Sequence, residues 1–111
     1  MRVLAVPEVI EYLKELVDIL YEKRYFSFED SSVNYVVDLF EDIITKLPTR
    51  LSKPAPKIFQ KYSDNLLYTA FPKNKRTTWY VFFEIYKDNE EITYLVQHIE
   101  NNHTIAQHLR P

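Results

Sequence analysis

The amino-acid sequence predicts one α+β domain, in which an N-terminal helical hairpin packs on a mostly antiparallel, twisted sheet. Two amphipathic runs with helical spacing occupy residues 8–47, and three β-rich runs occupy the second half. A Pro- and Lys-rich stretch at residues 48–65 separates them. Because 111 residues with a hydrophobic fraction of 46% suffice for one core, residues 1–111 are interpreted as a single domain.

The first elements are a strand and a helix. Residues 2–6 (RVLAV) are short and apolar, which predicts a first strand. Pro7 follows, and a helix tolerates proline at its first position because that N–H has no partner there. Apolar residues then recur at spacings of three and four, opposite acidic and lysine side chains, which predicts a helix over residues 8–24.

A second helix is predicted over residues 28–47. Ser27 is a suitable N-cap, and Glu29 and Asp30 place acidic side chains in the first turn. The predicted apolar stripe consists of Val33, Val36, Val37, Phe40, Ile43, Ile44 and Leu47, and Pro48 ends the helix. The short link between the two helices predicts an antiparallel hairpin.

The second half predicts the sheet. Residues 48–65 are expected to be irregular, with a short helical turn at 57–62, and the β-rich runs are 66–71, 77–86 and 92–99. The run at 77–86 is apolar on both faces, so we expect it to be the central strand. Asp88-Asn89 predicts a hairpin turn, and residues 101–109 a closing helical turn. The predicted order is β-α-α-β-β-β.

Composition excludes several classes of function. The chain has no Gly, so a Gly-rich phosphate loop and most nucleotide-dependent chemistry are excluded. It has no Cys, so disulfides and thiolate metal sites are excluded. The N-terminus does not resemble a signal peptide and no run is long enough to cross a membrane, so we expect a cytoplasmic protein that does not bind membranes.

Charge is distributed unevenly. Residues 50–78 carry 7 Lys/Arg and 1 Asp/Glu, whereas the whole chain has a net charge of -2. Within this segment Lys73, Lys75 and Arg76 lie between two predicted strands, where cations can hold phosphate oxygens. The alternative is that these residues only keep a strand connection soluble.

The other candidate residues are histidines and a tyrosine. His103 is expected in a loop and is the preferred acid/base candidate, while His98 is more simply explained as a hydrogen-bonded strand residue. His98, His103 and His108 are spaced by five residues, which is not a metal-ligand pattern, so no metal site is predicted. Tyr80 combines a ring that can be buried with a hydroxyl that can reach a ligand, although most aromatic residues here are expected in the core.

The layout resembles the RelE/ParE superfamily of toxins from type II toxin–antitoxin systems. The resemblance covers most of the chain, and its specific part is the C-terminal half, with YTAFPKNKRTTWYVFFEIY and ITYLVQHIENNHTIAQHL. It implies a toxin that a cognate antitoxin protein silences. RelE-like members cleave messenger RNA on the ribosome without a cofactor or metal, whereas ParE-like members inhibit DNA gyrase without catalysis.

The resemblance also implies roles for particular residues. Lys73, Lys75 and Arg76 match the family's basic loop, and His103 or His98 matches the histidine or tyrosine that follows its last strand. Arg76 and the histidine would then be catalytic, and the loop cations with Tyr80 would bind RNA. Thr78 or Trp79 stands where the family often has an arginine. Three hypotheses remain open: a RelE-like endoribonuclease, a ParE-like inhibitor and a non-toxic binding domain.

Overall fold

The computed structural model describes residues 1–23 and 29–103, which form two helices and a five-stranded mixed sheet. The helices are α1 (Pro7–Glu22) and α2 (Glu29–Lys46). The strands are β1 (Arg2–Ala5), β2 (Lys53–Pro54), β3 (Leu67–Pro72), β4 (Thr78–Asp88) and β5 (Glu91–Asn101). Their order across the sheet is β1-β5-β4-β3-β2, with β1 parallel to β5 and the other neighbours antiparallel. The predicted α+β class is confirmed.

The hydrophobic core lies between the helical hairpin and one face of the sheet. Trp79, Val81 and Phe83 alternate along β4 and are buried against the helices. The Trp79 indole Nε1 donates a hydrogen bond to the Tyr35 hydroxyl on α2 at 2.8 Å, which satisfies the buried N–H. No helix among residues 1–23 and 29–103 is long and apolar enough to span a membrane.

The predicted apolar stripe of α2 is partly wrong. The buried apolar positions are Val36, Leu39 and Ile43 of α2 and Leu47 of the 3₁₀ turn that follows it, spaced by three and four residues. Leu39 has no exposed surface, whereas Val33, Val37 and Ile44 from the predicted stripe are 39%, 46% and 38% exposed. An α-helix rotates about 100° per residue, so those three form a second apolar stripe beside the buried one. Phe40 lies between the two and is half-buried.

Several boundaries differ from the prediction. Pro48 does not end α2 directly, because a 3₁₀ turn at Leu47–Thr49 follows the helix. The predicted turn at 57–62 is a shorter 3₁₀ turn at Lys57–Phe59, and β2 lies in the stretch predicted to be irregular. A two-residue strand has no periodicity that a sequence could reveal. Ser27, His108 and most of the predicted turn at 101–109 lie outside the described residues.

The β4–β5 hairpin shows how a chain without glycine makes a tight turn. The connection is Asn89-Glu90, one residue later than predicted, and Asn89 has a φ of 56°. Asn tolerates this left-handed conformation better than most residues because its short polar side chain bonds locally. Further along, the register passes from Phe82–His98 to Phe83–Val96, which leaves Gln97 as the extra residue of a β-bulge.

Candidate functional site

The sheet face opposite the helices carries most of the polar and aromatic side chains that could contact a ligand. Register places Lys53 beside Tyr68, Tyr68 beside Phe82, and Phe82 beside His98, so these four residues form one row across β2, β3, β4 and β5. Tyr80 lies two residues from Phe82 on the same face. We call this surface the open face.

A segment of the link between α2 and β3 covers the middle of the row. Phe59 stacks on Phe82 with ring centroids 4.4 Å apart, and Tyr62 stacks on His98 at 4.7 Å with an interplanar angle of 14°. Phe59 and Phe82 are buried together with Ala55 and Leu66 in a second, smaller core. Two clefts border this cover: one is lined by Tyr68 and Tyr80, and the other is lined by Tyr62 and His98 and extends to α1 at the edge of the sheet.

The first cleft has a volume of about 450 Å³, and we call it the tyrosine cleft. Its lining residues are Arg50, Leu51, Lys53, Tyr68, Thr69, Ala70 and Tyr80. The Arg50 guanidinium lies 4.4 Å above the Phe71 ring, and its Nη1 donates a hydrogen bond to the Ala70 carbonyl at 3.1 Å. These contacts fix one cation at the edge of β3. Two cations beside two tyrosine rings suit a ligand that carries both negative charge and flat rings.

The second cleft has a volume of about 470 Å³, and we call it the histidine cleft. It is lined by Glu8, Val9, Tyr12, Tyr62, Gln97, His98, Ile99 and Glu100. His98 Nε2 lies 2.8 Å from Glu100 Oε1, and the two side chains are 23% and 12% exposed. When the Glu100 carboxylate is ionised, Nε2 carries the proton of this hydrogen bond. In the neutral ring Nδ1 is then the nitrogen that can accept a proton.

Two phenols border the same pair. Burial raises the pKa of Tyr12 above its ordinary value, and the charge of Glu100 and the neighbouring Tyr35 raise it further. Burial also raises the pKa of Tyr62, again with a contribution from Glu100. Both hydroxyls therefore stay protonated at neutral pH and can donate hydrogen bonds to a ligand.

The two clefts are close to each other. Tyr80 of the tyrosine cleft and Glu100 of the histidine cleft are cross-strand partners in β4 and β5. Directly opposed residues of antiparallel strands have Cα atoms about 4.5–5.5 Å apart. A ligand of a few linked units could therefore contact both clefts at once.

The predicted basic loop, residues 73–76, lies at one end of the sheet. Asn74 Oδ1 accepts hydrogen bonds from the backbone N–H of Arg76 and of Thr77, both at 2.9 Å, which holds a tight turn. Lys73 Nζ lies 5.1 Å above the Tyr35 ring on α2, so Lys73 is directed toward the helical side of the sheet. Lys75 and Arg76 are exposed.

The end of β5 lies beside this loop. The Asn102 side chain accepts a hydrogen bond from the Thr78 N–H and donates one to the Arg76 carbonyl, both at 3.0 Å. The exposed His103 follows directly, so the structure brings His103 and the basic loop to one end of the sheet. His98 faces Phe82, four residues along β4 from Thr78, which is about 14 Å at the rise of a strand. The predicted site residues therefore form two groups: the loop with His103, and His98 with Tyr80.

Arg50, Lys53, Tyr62 and Glu100 are among the cleft residues that sequence reasoning missed. Glu100 had a usable signal, because residues two apart on a strand share a face and His98-Ile99-Glu100 thus places an imidazole beside a carboxylate. Arg50, Lys53 and Tyr62 had no such signal in the sequence. Their positions depend on how the link folds back over the open face.

A single carboxylate, that of Glu84, connects this link to the sheet through hydrogen bonds. Glu84 Oε2 accepts hydrogen bonds from Ser63 Oγ at 2.6 Å, Tyr86 OH at 2.7 Å and Gln97 Nε2 at 3.3 Å. These hydrogen bonds hold the pKa of Glu84 below its ordinary value of 4.5, and the bond from Ser63 lowers it most. When folding lowers the pKa of a carboxylate, the ionised carboxylate stabilises the folded state. This stabilisation is complete at pH values above the unfolded-state pKa, and it is lost as the pH falls through the folded-state pKa.

We therefore expect Glu84→Gln to destabilise the protein at neutral pH and to lose this effect in acid. Urea unfolding of parent and variant, followed between about pH 7 and pH 3, should show two free energies of unfolding that converge below the ordinary carboxylate pKa. Glu90→Gln, in the exposed hairpin turn, is the control. A gap between parent and Glu84→Gln that stays constant down to pH 3 would contradict the role assigned to the carboxylate charge.

Among the described residues no group of three or more His, Asp or Glu side chains is arranged to hold a metal ion. Neither a protein-family model, nor a curated protein, nor a solved structure matches this chain.

Proposed function

We propose that this protein is an RNA-cleaving toxin of a type II toxin–antitoxin system, and that single-stranded RNA lies on the open face. The observation that carries the proposal is the adjacency of two features: two cations with two tyrosines in one cleft, and a hydrogen-bonded His–Glu pair in the next. The resemblance of the C-terminal half to RelE-like toxins suggests messenger RNA on the ribosome as the substrate. It also suggests a cytoplasmic location and a cognate antitoxin as partner.

Binding follows from the composition of the tyrosine cleft. Bases stack on the Tyr68 and Tyr80 rings, and each such contact is worth about 1–3 kcal/mol in proteins that bind single strands. Arg50 and Lys53 hold the phosphates between those bases. Lys57 and Lys61 are exposed on the segment that covers the open face, and they extend the positive charge toward the histidine cleft.

Cleavage follows from the His–Glu pair. His98 Nδ1 takes the proton of a ribose 2′-hydroxyl, and the 2′-oxygen attacks the adjacent phosphorus. The bond from phosphorus to the 5′-oxygen breaks, a 2′,3′-cyclic phosphate forms, and the leaving 5′-oxygen takes a proton from water. The His98 imidazolium then returns its proton to the solvent. Glu100 orients the imidazole and stabilises its cationic form. Lys61, whose Nζ lies 5.3 Å from the Tyr62 ring that stacks on His98, offsets the charge that accumulates on the phosphoryl oxygens.

The basic loop has a supporting role in this proposal. Lys75 and Arg76 are exposed beside His103, at the end of the sheet. They hold the RNA backbone where the strand leaves the open face, and the triple replacement of Lys73, Lys75 and Arg76 by Ala should weaken binding. His103 is the alternative proton-transfer residue, because it lies beside these cations.

The binding step can be measured with a fluorescent single-stranded RNA. We expect Arg50→Ala/Lys53→Ala to weaken binding about tenfold or more, and to make the slope of log K against log salt shallower by about 1.4. Lys14→Ala/Lys46→Ala removes the same charge from the helices and is the matched control. Equal affinity losses in both double variants would show that only net charge matters, which would contradict a site on the open face.

A ParE-like inhibitor of DNA gyrase, or a non-toxic binding domain, is the second candidate. The observation that favours it is the exposed apolar stripe Val33, Val37 and Ile44 on α2, which is suited to contact with a protein rather than RNA. This candidate requires no proton-transfer residue, so replacement of His98 would leave its activity unchanged.

A further inference from the structure

The helical hairpin has an apolar groove on its solvent side. The groove has a volume of about 330 Å³ and runs along the seam between α1 and α2. Ile10 and Val17 line it from α1, and Val33, Val37 and Phe40 line it from α2. Ile10 to Val17 and Val33 to Phe40 each span seven residues, about 10.5 Å at 1.5 Å per residue. The groove is therefore as long as about two turns of a helix.

Part of the groove wall is exposed apolar surface. Val33 and Val37 are 39% and 46% exposed, and Ile44 continues the same stripe at 38%. The spacings of four and seven residues keep all three on one side of α2. Burial of this stripe in water-free contact would be favourable, and α1 and α2 do not bury it themselves.

The surroundings of the groove are strongly acidic. The two helices carry ten Asp and Glu residues and two Lys residues. At 100° per residue, Glu11 and Asp18 follow the groove on the outer side of α1, and Asp38 and Glu41 follow it on α2. All four are exposed, and Glu41 also lines the groove. The cation of the lining, Lys14, lies 3.5 Å from Glu11, so these two charges offset each other, and Asp18, Asp38 and Glu41 supply the uncompensated negative charge beside the groove.

We propose that this groove docks an amphipathic helix of another protein, with an apolar stripe of about two turns and Lys or Arg residues on both flanks. The apolar stripe fills the seam between the helices, and the flanking cations face the acidic rims. A second copy of the chain is disfavoured as the occupant, because it would bring two acidic hairpins together. The inference does not rest on RNA cleavage, since the groove shares no lining residue with either cleft.

The test uses synthetic helices of about 18 residues, with Leu at helical spacing and Lys at the flanking positions. One control peptide has Glu in place of every Lys. A second has the composition of the basic peptide, with the Leu residues distributed around the helix. We expect the basic amphipathic peptide to bind at least about tenfold tighter than either control, and more weakly as salt rises. Amide shifts in a heteronuclear titration should concentrate on α1 and α2.

A pair of variants locates the site. Val37→Asn removes apolar surface from the groove without a change in charge, and Ile58→Asn does the same at a side chain that is 51% exposed in the link. We expect Val37→Asn to weaken the peptide about tenfold, and Ile58→Asn to leave its affinity unchanged, with both variants folded by circular dichroism and unchanged in RNA affinity.

Three results would overturn the proposal. Equal binding of the basic peptide and its reordered control would show simple charge attraction. Equal affinity of Val37→Asn and parent would place the contact elsewhere. A dimer of the protein in sedimentation equilibrium that Val37→Asn dissociates would assign the groove to a second copy. None of these results would affect the test of RNA binding on the open face.

Discussion

Replacement of His98 by Ala should lower RNA cleavage by about 10²- to 10⁴-fold, the usual contribution of a positioned general base. RNA affinity should remain near that of the parent, because the cations and tyrosines that bind RNA belong to the neighbouring cleft. Cleavage of a labelled single strand by the purified protein, under single-turnover conditions, measures the chemical step separately from binding.

His103→Ala is the matched control. Both residues are histidines of the C-terminal part, but His98 is held by Glu100 at 2.8 Å, whereas His103 is exposed beside the basic loop. We expect His103→Ala to retain most of the cleavage rate. If His103→Ala loses cleavage and His98→Ala does not, proton transfer occurs at the end of the sheet, and the His98–Glu100 pair has only a structural role.

Leu39→Ala should lower the free energy of unfolding by about 2–5 kcal/mol, because it removes a fully buried side chain and leaves a cavity between hairpin and sheet. Val37→Ala, two residues earlier on the same helix, removes a side chain that is 46% exposed and should cost much less. Val is a poorer helix former than Leu by a few tenths of a kcal/mol, so most of the expected difference between the two variants reports burial.

Urea unfolding at neutral pH measures both variants. A loss for Val37→Ala as large as that for Leu39→Ala would contradict the rotation of α2 described above. It would instead support the predicted stripe, in which Val37 belongs to the core.

The sequence contained enough information for the main elements of the fold. Helical spacing located α1 and α2 to within two residues at each end, and the apolar run at 77–86 identified β4 as a central strand. The orientation of α2 was not recoverable, because the helix carries two apolar stripes and only the inner one is buried. Nothing in the spacing of Val36 and Val37 shows which of them contacts the sheet.

The candidate site was predictable only in part. Tyr80 and His98 were identified by residue type, and the spacing of His98 and Glu100 would have predicted their contact on a strand. Arg50 and Lys53 had no such signal, since they reach the open face through a link with no periodicity. The register across β2, β3, β4 and β5 decides which of these side chains become neighbours, and the bulge at Gln97 changes that register beside His98.

Induced expression of the chain by itself, with messenger RNA integrity, translation and DNA supercoiling measured in the same culture, distinguishes RNA cleavage from gyrase inhibition. We expect growth arrest with cleaved messenger RNA and lost translation, at normal supercoiling, and we expect His98→Ala to restore growth, intact messenger RNA and translation. Arrest with altered supercoiling, equally strong in the His98→Ala variant, would contradict RNA cleavage and support the gyrase inhibitor. Unimpaired growth at high expression of folded protein would contradict the toxin proposal itself.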